Sequence, residues 1–196
     1  SGLRAEIGLG SGGASGAHGN ETLAVARNRP VGRVETFQQR TGDFSAATVV
    51  TMYLLPGLNM KLRPTLLSMR PGTRVVSHSF TMEDWEADEI SSVDGRRAYF
   101  WIVPAQVQGT WSLDSGGRTQ DMVFEQTFQK IAGTVAIGPI AAGLREARLR
   151  GPAITFGYVD AGGVRRDYSG VVTGGKMEGS WRDEKGGSGR WSATKK

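Results

Sequence analysis

The chain has 196 residues, of which 38% are hydrophobic and 22% charged, and its formal net charge is +5. This length supports one or two small domains. The absence of cysteine excludes disulfides, thiolate zinc sites and a cysteine nucleophile. No apolar run reaches the roughly 20 residues of a membrane-spanning helix. A soluble protein is therefore expected, with the cytoplasm favoured as its compartment.

The first 33 residues are dominated by glycine, alanine, serine, asparagine and arginine. Such a stretch buries too little apolar surface to offset its own chain entropy, so a loop or a poorly ordered arm is predicted. The sequence also permits a short helix from Glu21 to Arg27.

The next region, residues 46–105, carries the pattern of a βαβ unit. Ala46 to Leu55 is a continuous apolar run, which is typical of a strand covered on both faces. Leu58 to Met69 follows as a helix with one apolar face, interrupted or restarted at Pro64. Arg74 to Phe80 reads as the second strand. Residues 81–95 are predicted to be acidic and irregular, and residues 99–104 a further strand that residues 106–113 continue or pair with.

The last part, residues 106–196, alternates with a period of two between glycine turns. Short strands at regular spacing predict an antiparallel meander or small barrel. Strands are expected at residues 123–130, 153–158, 166–172, 176–181 and 189–194. Four tryptophans are expected to fill the β core, namely Trp101, Trp111, Trp181 and Trp191.

Two segments of the βαβ region carry a family resemblance. The run TVVTMYLLPGLNMKLRP at residues 48–64 and the run PGTRVVSHSFTMEDW at residues 71–85 are similar to bacterial class I S-adenosylmethionine-dependent methyltransferases. The resemblance implies a strand-rich α+β fold, in which a truncated Rossmann-like α/β unit precedes the β module. Residues 1–45 would then be a Gly-rich arm with a shortened or rebuilt remnant of the cofactor-binding half.

The resemblance also implies a site. It places the catalytic groups at Tyr53, Pro56 and Asn59, where the loop after the first strand offers a backbone carbonyl and the Asn59 amide to a methyl acceptor. Asn59 as a simple helix cap is the alternative. A short glycine run after residues 3–7 resembles the loop that binds S-adenosylmethionine. The predicted cofactor-binding residues are Gly8, Gly10, Gly12 and Asp43.

The cofactor site departs from the family at two positions. Gly8 stands where the glycine loop usually has an acid, and Arg40 stands where an acid usually contacts the adenine. Asp43 would replace that acid only if the loop were redrawn. Whether the chain is an active enzyme or only methyltransferase-like is therefore left open. The acceptor is expected to be a small molecule or a protein; nucleic acid is not expected, because the positive charges are scattered.

Two other functions stay open. The β module alone would serve as a binding module, while the truncated sheet pairs with a second copy, because an uncovered edge beside Thr48–Leu55 is a liability in a monomer. A homodimer is therefore expected. A small hydrolase using Ser77, or an acidic pair within residues 83–89, is the other alternative. No metal site is predicted, because the only histidines are His18 and His78.

Overall fold

The computed structural model describes residues 22–26, 34–37 and 44–196. Within these ranges the protein has fifteen β-strands and one α-helix, arranged as two sheets. The six-stranded first sheet has the spatial order β2-β1-β3-β4-β6-β5. Its strands are β1 (Thr22–Ala26), β2 (Val34–Phe37), β3 (Val49–Tyr53), β4 (Arg74–His78), β5 (Glu89–Val93) and β6 (Arg96–Ile102).

The predicted strand–helix–strand unit is present. β3 and β4 are parallel, and helix α1 (Pro56–Leu67) connects them. The predicted apolar face of α1 packs on the sheet: Leu66 is fully buried, and Leu58 and Leu62 contact the same core. Pro64 lies inside this single helix. All other pairs of the first sheet are antiparallel, so the sheet is mixed and is not the parallel sheet of a Rossmann fold.

The prediction that β3 is covered on both faces is wrong. Val50 and Met52 are buried, whereas Thr51 and Tyr53 are exposed. Among the described residues one helix accompanies the sheet, and it covers one face only. Apolar β-branched residues favour a strand whether or not its second face is covered, so composition did not reveal this.

The edge beside β3 is occupied within the chain. β1 pairs antiparallel with β3, in register from Thr22↔Tyr53 to Ala26↔Val49. The helix permitted at residues 21–27 is therefore wrong for residues 22–26, because sheet pairing overrides a weak local helix preference. The uncovered edge that motivated the homodimer is also absent from this part of the structure. The homodimer itself stays a prediction.

The acidic region is more regular than predicted. Residues 89–93 form β5, which pairs with β6 through a turn at Asp94-Gly95. Both turn residues have positive φ, 51° and 76°, as a tight hairpin requires. The predicted continuation or pairing of residues 106–113 with the preceding strand is wrong, because the strand that follows β6 belongs to the second sheet.

The second sheet has nine antiparallel strands in the order β10-β9-β8-β7-β15-β14-β13-β12-β11. Neighbours in this order are neighbours in the chain, except that β15 returns to pair with β7. β11 comes close to β9, so the sheet curls into a nearly closed barrel, as the predicted meander or small barrel requires. The strands are β7 (Gly109–Ser115), β8 (Arg118–Thr127), β9 (Lys130–Ile137), β10 (Ile140–Gly143), β11 (Arg145–Arg150), β12 (Ala153–Val159), β13 (Arg165–Thr173), β14 (Lys176–Asp183) and β15 (Ser188–Lys195).

Each sheet has its own core of buried side chains. Trp111 and Trp191 lie in the core of the second sheet and Trp181 packs against it, as predicted, whereas Trp101 lies in the core of the first sheet. The boundaries predicted near residues 45 and 105 stay predictions. Within the described ranges, no helix combines the length and the hydropathy that a bilayer crossing requires.

Candidate functional site

The C-terminal ends of the parallel strands β3 and β4 lie at one edge of the first sheet. Parallel pairing places Met52 beside Ser77, so the next residues, Tyr53 and His78, are neighbours as well. Their ring centroids are 4.8 Å apart, and the ring planes are tilted by 35°. Tyr53 is 55% exposed. The edge therefore presents an accessible aromatic surface.

The loop after β3 turns directly into α1. Leu55 is the N-cap residue, with extended backbone angles of φ −67° and ψ 156°, and no side chain caps the helix. Pro56 occupies the first turn, where its missing N–H would have no partner in any case. The Leu55 carbonyl accepts the N–H groups of Leu58 and Asn59 at 3.0 and 3.2 Å. The Leu55 carbonyl, one of those that the predicted loop could offer to a methyl acceptor, is therefore already hydrogen-bonded within the helix.

Asn59 lies inside α1 and is fully buried, so it is not the helix cap of the alternative interpretation. Its Nδ2 donates to the Ser77 hydroxyl at 3.1 Å and to the carbonyls of Thr81 and Phe80 at 3.3 and 3.5 Å. Its Oδ1 is buried without a hydrogen-bond partner among the described residues. The amide therefore faces the segment that follows β4, and a methyl acceptor would reach it only if that segment moved.

Arg63, one helical turn further, contacts the same segment. Its Nη1 donates to the Met82 carbonyl at 3.1 Å and forms an ion pair with Asp84. Asn59 and Arg63 thus hold three successive carbonyls, those of Phe80, Thr81 and Met82. These side-chain donors help to fix the path of the segment, in which the Met82 carbonyl also accepts the Trp85 N–H at 3.2 Å.

The residues considered for hydrolysis do not form a catalytic pair. The Ser77 hydroxyl is buried and accepts from Asn59, while the His78 ring is 3.1 Å from the hydroxyl of Ser79 through Nδ1. Asp88 lies at the opposite end of the sheet, where its Oδ2 accepts the Ile102 N–H at 2.7 Å. Burial raises the pKa of this carboxyl above its ordinary value. Among the described residues, no group of three histidine or carboxylate side chains is placed to hold a metal ion.

The predicted cofactor-binding residues Gly8, Gly10, Gly12 and Asp43 lie outside the described residues. Two of the open depressions on the described surface lie on or beside the second sheet. One, of about 490 Å³, lies between Asp88, the β8–β9 turn and β11; the other, of about 370 Å³, lies on the outer face of β13, β14 and β15. Neither adjoins Tyr53, Pro56 or Asn59.

Two residues that contribute to the site were not predicted. Arg63 could have been found, because residues four apart share one helix face and Asn59 had already been singled out. Phe128, at the turn between β8 and β9, lies with its ring centroid 5.5 Å from the Arg63 guanidinium. No local sequence signal places it there, because the contact joins the two sheets.

No protein-family model matches the chain. A protein-lysine N-methyltransferase of Saccharolobus islandicus (strain REY15A) is 49% identical over 53 residues, which are 26% of this chain and 33% of that protein. The chain thus spans about a third of the length of this curated relative. The crystal structure of an RNA methyltransferase from Salinibacter ruber in complex with S-adenosyl-L-homocysteine covers 35% of the chain and 48% of that protein, with 46% sequence identity and a TM-score of 0.32. The predicted resemblance to methyltransferases is confirmed over this limited part of the chain.

Proposed function

We propose that the protein is an S-adenosylmethionine-dependent methyltransferase, or a methyltransferase-like protein derived from one. The observation that carries the proposal is the 49% identity over 53 residues to a protein-lysine N-methyltransferase. The parallel β3–α1–β4 unit is consistent with it, because open α/β sheets bind ligands at the C-terminal ends of their strands. Tyr53 and the Pro56 loop lie at that end.

A lysine side chain of a protein is the acceptor that we favour. Its long stem is apolar and its amino group is cationic until it loses a proton, so it suits a surface with both apolar and aromatic character. Tyr53 and Leu55 are 55% and 58% exposed beside the Pro56 loop. An exposed aromatic face attracts a cation by about 0.5–1 kcal/mol.

The Oδ1 of Asn59 is buried and accepts no hydrogen bond from the described residues. The role that we assign to the described residues is to present and orient the acceptor. Orientation alone supplies much of the rate of a displacement reaction, which makes this role sufficient for a measurable effect.

The test is calorimetric titration of the full chain with S-adenosylmethionine and S-adenosylhomocysteine, followed by transfer of a radiolabelled methyl group to a lysine-rich protein. A ligand at a hundredfold excess over its Kd raises the free energy of unfolding by about 2.7 kcal/mol, so the melting temperature should rise. Absence of binding at millimolar ligand would refute enzymatic methyl transfer and leave a methyltransferase-like protein whose similarity records ancestry alone.

A pair of matched variants tests the acceptor surface. Tyr53→Ala removes the exposed ring, and we expect methyl transfer to lysine to fall about fivefold, as the loss of about 1 kcal/mol implies. Ile140→Ala removes an exposed apolar side chain of the second sheet, which is 64% exposed, and should leave the rate unchanged. Equal rates in the two variants would remove Tyr53 from the site.

A further inference from the structure

The turn between β8 and β9 reaches out of the second sheet into the core of the first. Phe128 is half-buried and packs against the first core, although both strands beside it belong to the second sheet. Its ring is stacked on Trp85, with centroids 6.0 Å apart and planes 22° from parallel. The Arg63 guanidinium lies 5.5 Å from the centroid of the same ring. Phe128 therefore joins α1 and the segment after β4 to the second sheet.

Polar contacts fix the turn in this position. The Gln129 side chain donates to the Glu86 carbonyl at 2.7 Å, and Lys130 pairs with the Glu86 carboxylate at 2.6 Å. The Gln126 amide donates to the carbonyls of Phe128 and Ala105 at 2.7 and 2.8 Å. The tip is thus held both by the first sheet and by the connection between the sheets.

The backbone of Phe128 carries strain that a glycine at the same position of the turn would not carry. Thr127 pairs with Lys130, so Phe128 is the first residue of a two-residue turn, and its φ is 55°. Glycine is the usual residue where such a turn requires a positive φ, and a bulky side chain there is an outlier. Strained residues persist where the side chain serves another contact. Here that contact is the first core.

The segment that Phe128 touches is the one that bounds the candidate site. Asn59 and Arg63 hold the carbonyls of residues 80–82, and Trp85 follows three residues later. The Trp85 carbonyl accepts the Trp101 indole N–H at 2.9 Å, which ties this segment to β6. Phe128 contacts this segment from the side of the second sheet, through Trp85.

We infer that Phe128 is a positioning residue, which clamps residues 79–86 against α1 and so holds the C-terminal edge of β3 and β4 in one arrangement. The inference rests on the proposed function for its role in methyl transfer, because that edge carries the acceptor surface. The clamp itself rests on the contacts of Phe128. The second sheet would thereby be part of the site without touching the acceptor.

Phe128→Gly is the informative variant, because it removes the ring and at the same time relieves the positive φ. The hairpin should keep its stability, while the amides of Phe80 and Trp85, which donate to the carbonyls of His78 and Met82, lose protection. We expect hydrogen exchange at these two amides to become about tenfold faster, because opening of the segment in the variant no longer has to break the contact between Phe128 and Trp85. Exchange in β12 to β15 should not change.

The activity readout separates positioning from a general structural role. We expect kcat for methyl transfer to fall about tenfold in Phe128→Gly, with KM changed by less than about twofold, because misplacement by a fraction of an ångström slows the step more than it weakens binding. Phe128→Tyr keeps the ring and should restore both exchange and rate. Ile140→Gly, which removes an exposed side chain from the neighbouring hairpin, is the control and should change neither.

Unchanged exchange at Phe80 and Trp85 in Phe128→Gly would overturn the clamp, and so would exchange that accelerates equally in both sheets. Failure of the wild-type chain to transfer a methyl group would instead refute the proposed function. In that case the exchange measurement alone still decides whether Phe128 clamps the segment.

Discussion

The Tyr158 hydroxyl should be costly to remove from the second sheet. Tyr158 and Tyr168 are 1% and 2% exposed, and their rings stack at 5.4 Å. The Tyr158 hydroxyl donates to Gln120 Oε1 at 3.1 Å and lies 3.0 Å from the Tyr168 hydroxyl. The Tyr168 hydroxyl is in turn 3.2 Å from the hydroxyl of Ser115. These groups form a polar network inside the barrel.

Tyr158→Phe removes two hydrogen bonds and leaves the ring packing intact. Each hydrogen bond contributes about 1 kcal/mol net, so the free energy of unfolding should fall by about 2 kcal/mol. For a protein of this size that loss lowers the melting temperature by about 4–8 °C. Tyr53→Phe removes a hydroxyl from an exposed ring and should stay within about 0.5 kcal/mol of wild type.

The same variant should change the dependence of stability on pH. Burial, and then the hydrogen bond to Tyr168, raise the pKa of Tyr158 above its ordinary value of 10.0. The folded state then keeps a proton that the unfolded state loses, so the stability present below pH 10 is lost as pH rises above it. Between pH 10 and 11 wild type should lose about 1 kcal/mol more than Tyr158→Phe, because only the unfolded tyrosine titrates there.

Urea denaturation of the three proteins at pH 7, 10 and 11 measures both effects, with intrinsic tryptophan fluorescence as the signal. A loss below about 0.5 kcal/mol at pH 7 would mean that the hydroxyls contribute nothing net to folding. An equal decline of wild type and Tyr158→Phe between pH 10 and 11 would contradict the raised pKa.

Two further predictions concern single positions. A Cβ at Gly179 would lie 1.9 Å from the Ser169 carbonyl oxygen, so Gly179→Ala should lower the free energy of unfolding in urea by about 3 kcal/mol, as is typical of strong overpacking. Gly175→Ala, whose Cβ would make an ordinary 3.8 Å contact, should cost less than about 1 kcal/mol. Similar losses in the two variants would refute the steric argument. Asp88→Asn keeps an acceptor for the Ile102 N–H without burying a charge. Because burial raises the pKa of Asp88, the folded wild type favours the protonated carboxyl, and the stability that this carboxyl contributes at low pH is lost as pH rises through its raised pKa. The variant should therefore melt at a higher temperature than wild type at pH 7 and at the same temperature near pH 3; a lower melting temperature at pH 7 would show that the attraction to Arg150 outweighs burial.

Local pattern predicted most of the elements correctly. The βαβ unit and the strands after residue 150 are signalled by apolar periodicity and glycine turns, which are properties of neighbouring residues. The hairpin of β5 and β6 carried such a signal in Asp94-Gly95, a dipeptide typical of two-residue turns, which the acidic composition of residues 81–95 outweighed. The turn at Phe128-Gln129 has no such signal, so the predicted strand ran through it to Lys130.

Long-range pairing is what the sequence did not reveal. Nothing local indicates that β15 returns to β7, or that β1 covers the edge of β3. The candidate site shows the same division. The position of the Pro56 loop at a strand end followed from pattern, but the inward direction of Asn59 depends on carbonyls of residues 80 and 81, more than twenty positions away.

The unit that holds the candidate site is therefore larger than the segment that resembles methyltransferases. The similarity to the curated relative covers 26% of the chain, whereas Arg63 contacts both Asp84, in the segment after β4, and Phe128, in the β8–β9 turn of the second sheet. A sequence match compares residues position by position, so it does not detect a contact between Arg63 and an aromatic ring of another sheet. The connection between the sheets is short and hydrogen-bonded, since Gln126 accepts from Val107 and Gln108 and donates to Ala105. Because this connection and the Phe128 turn both join the second sheet to the first, a change in either sheet at these contacts should reach the edge where Tyr53 and Pro56 lie.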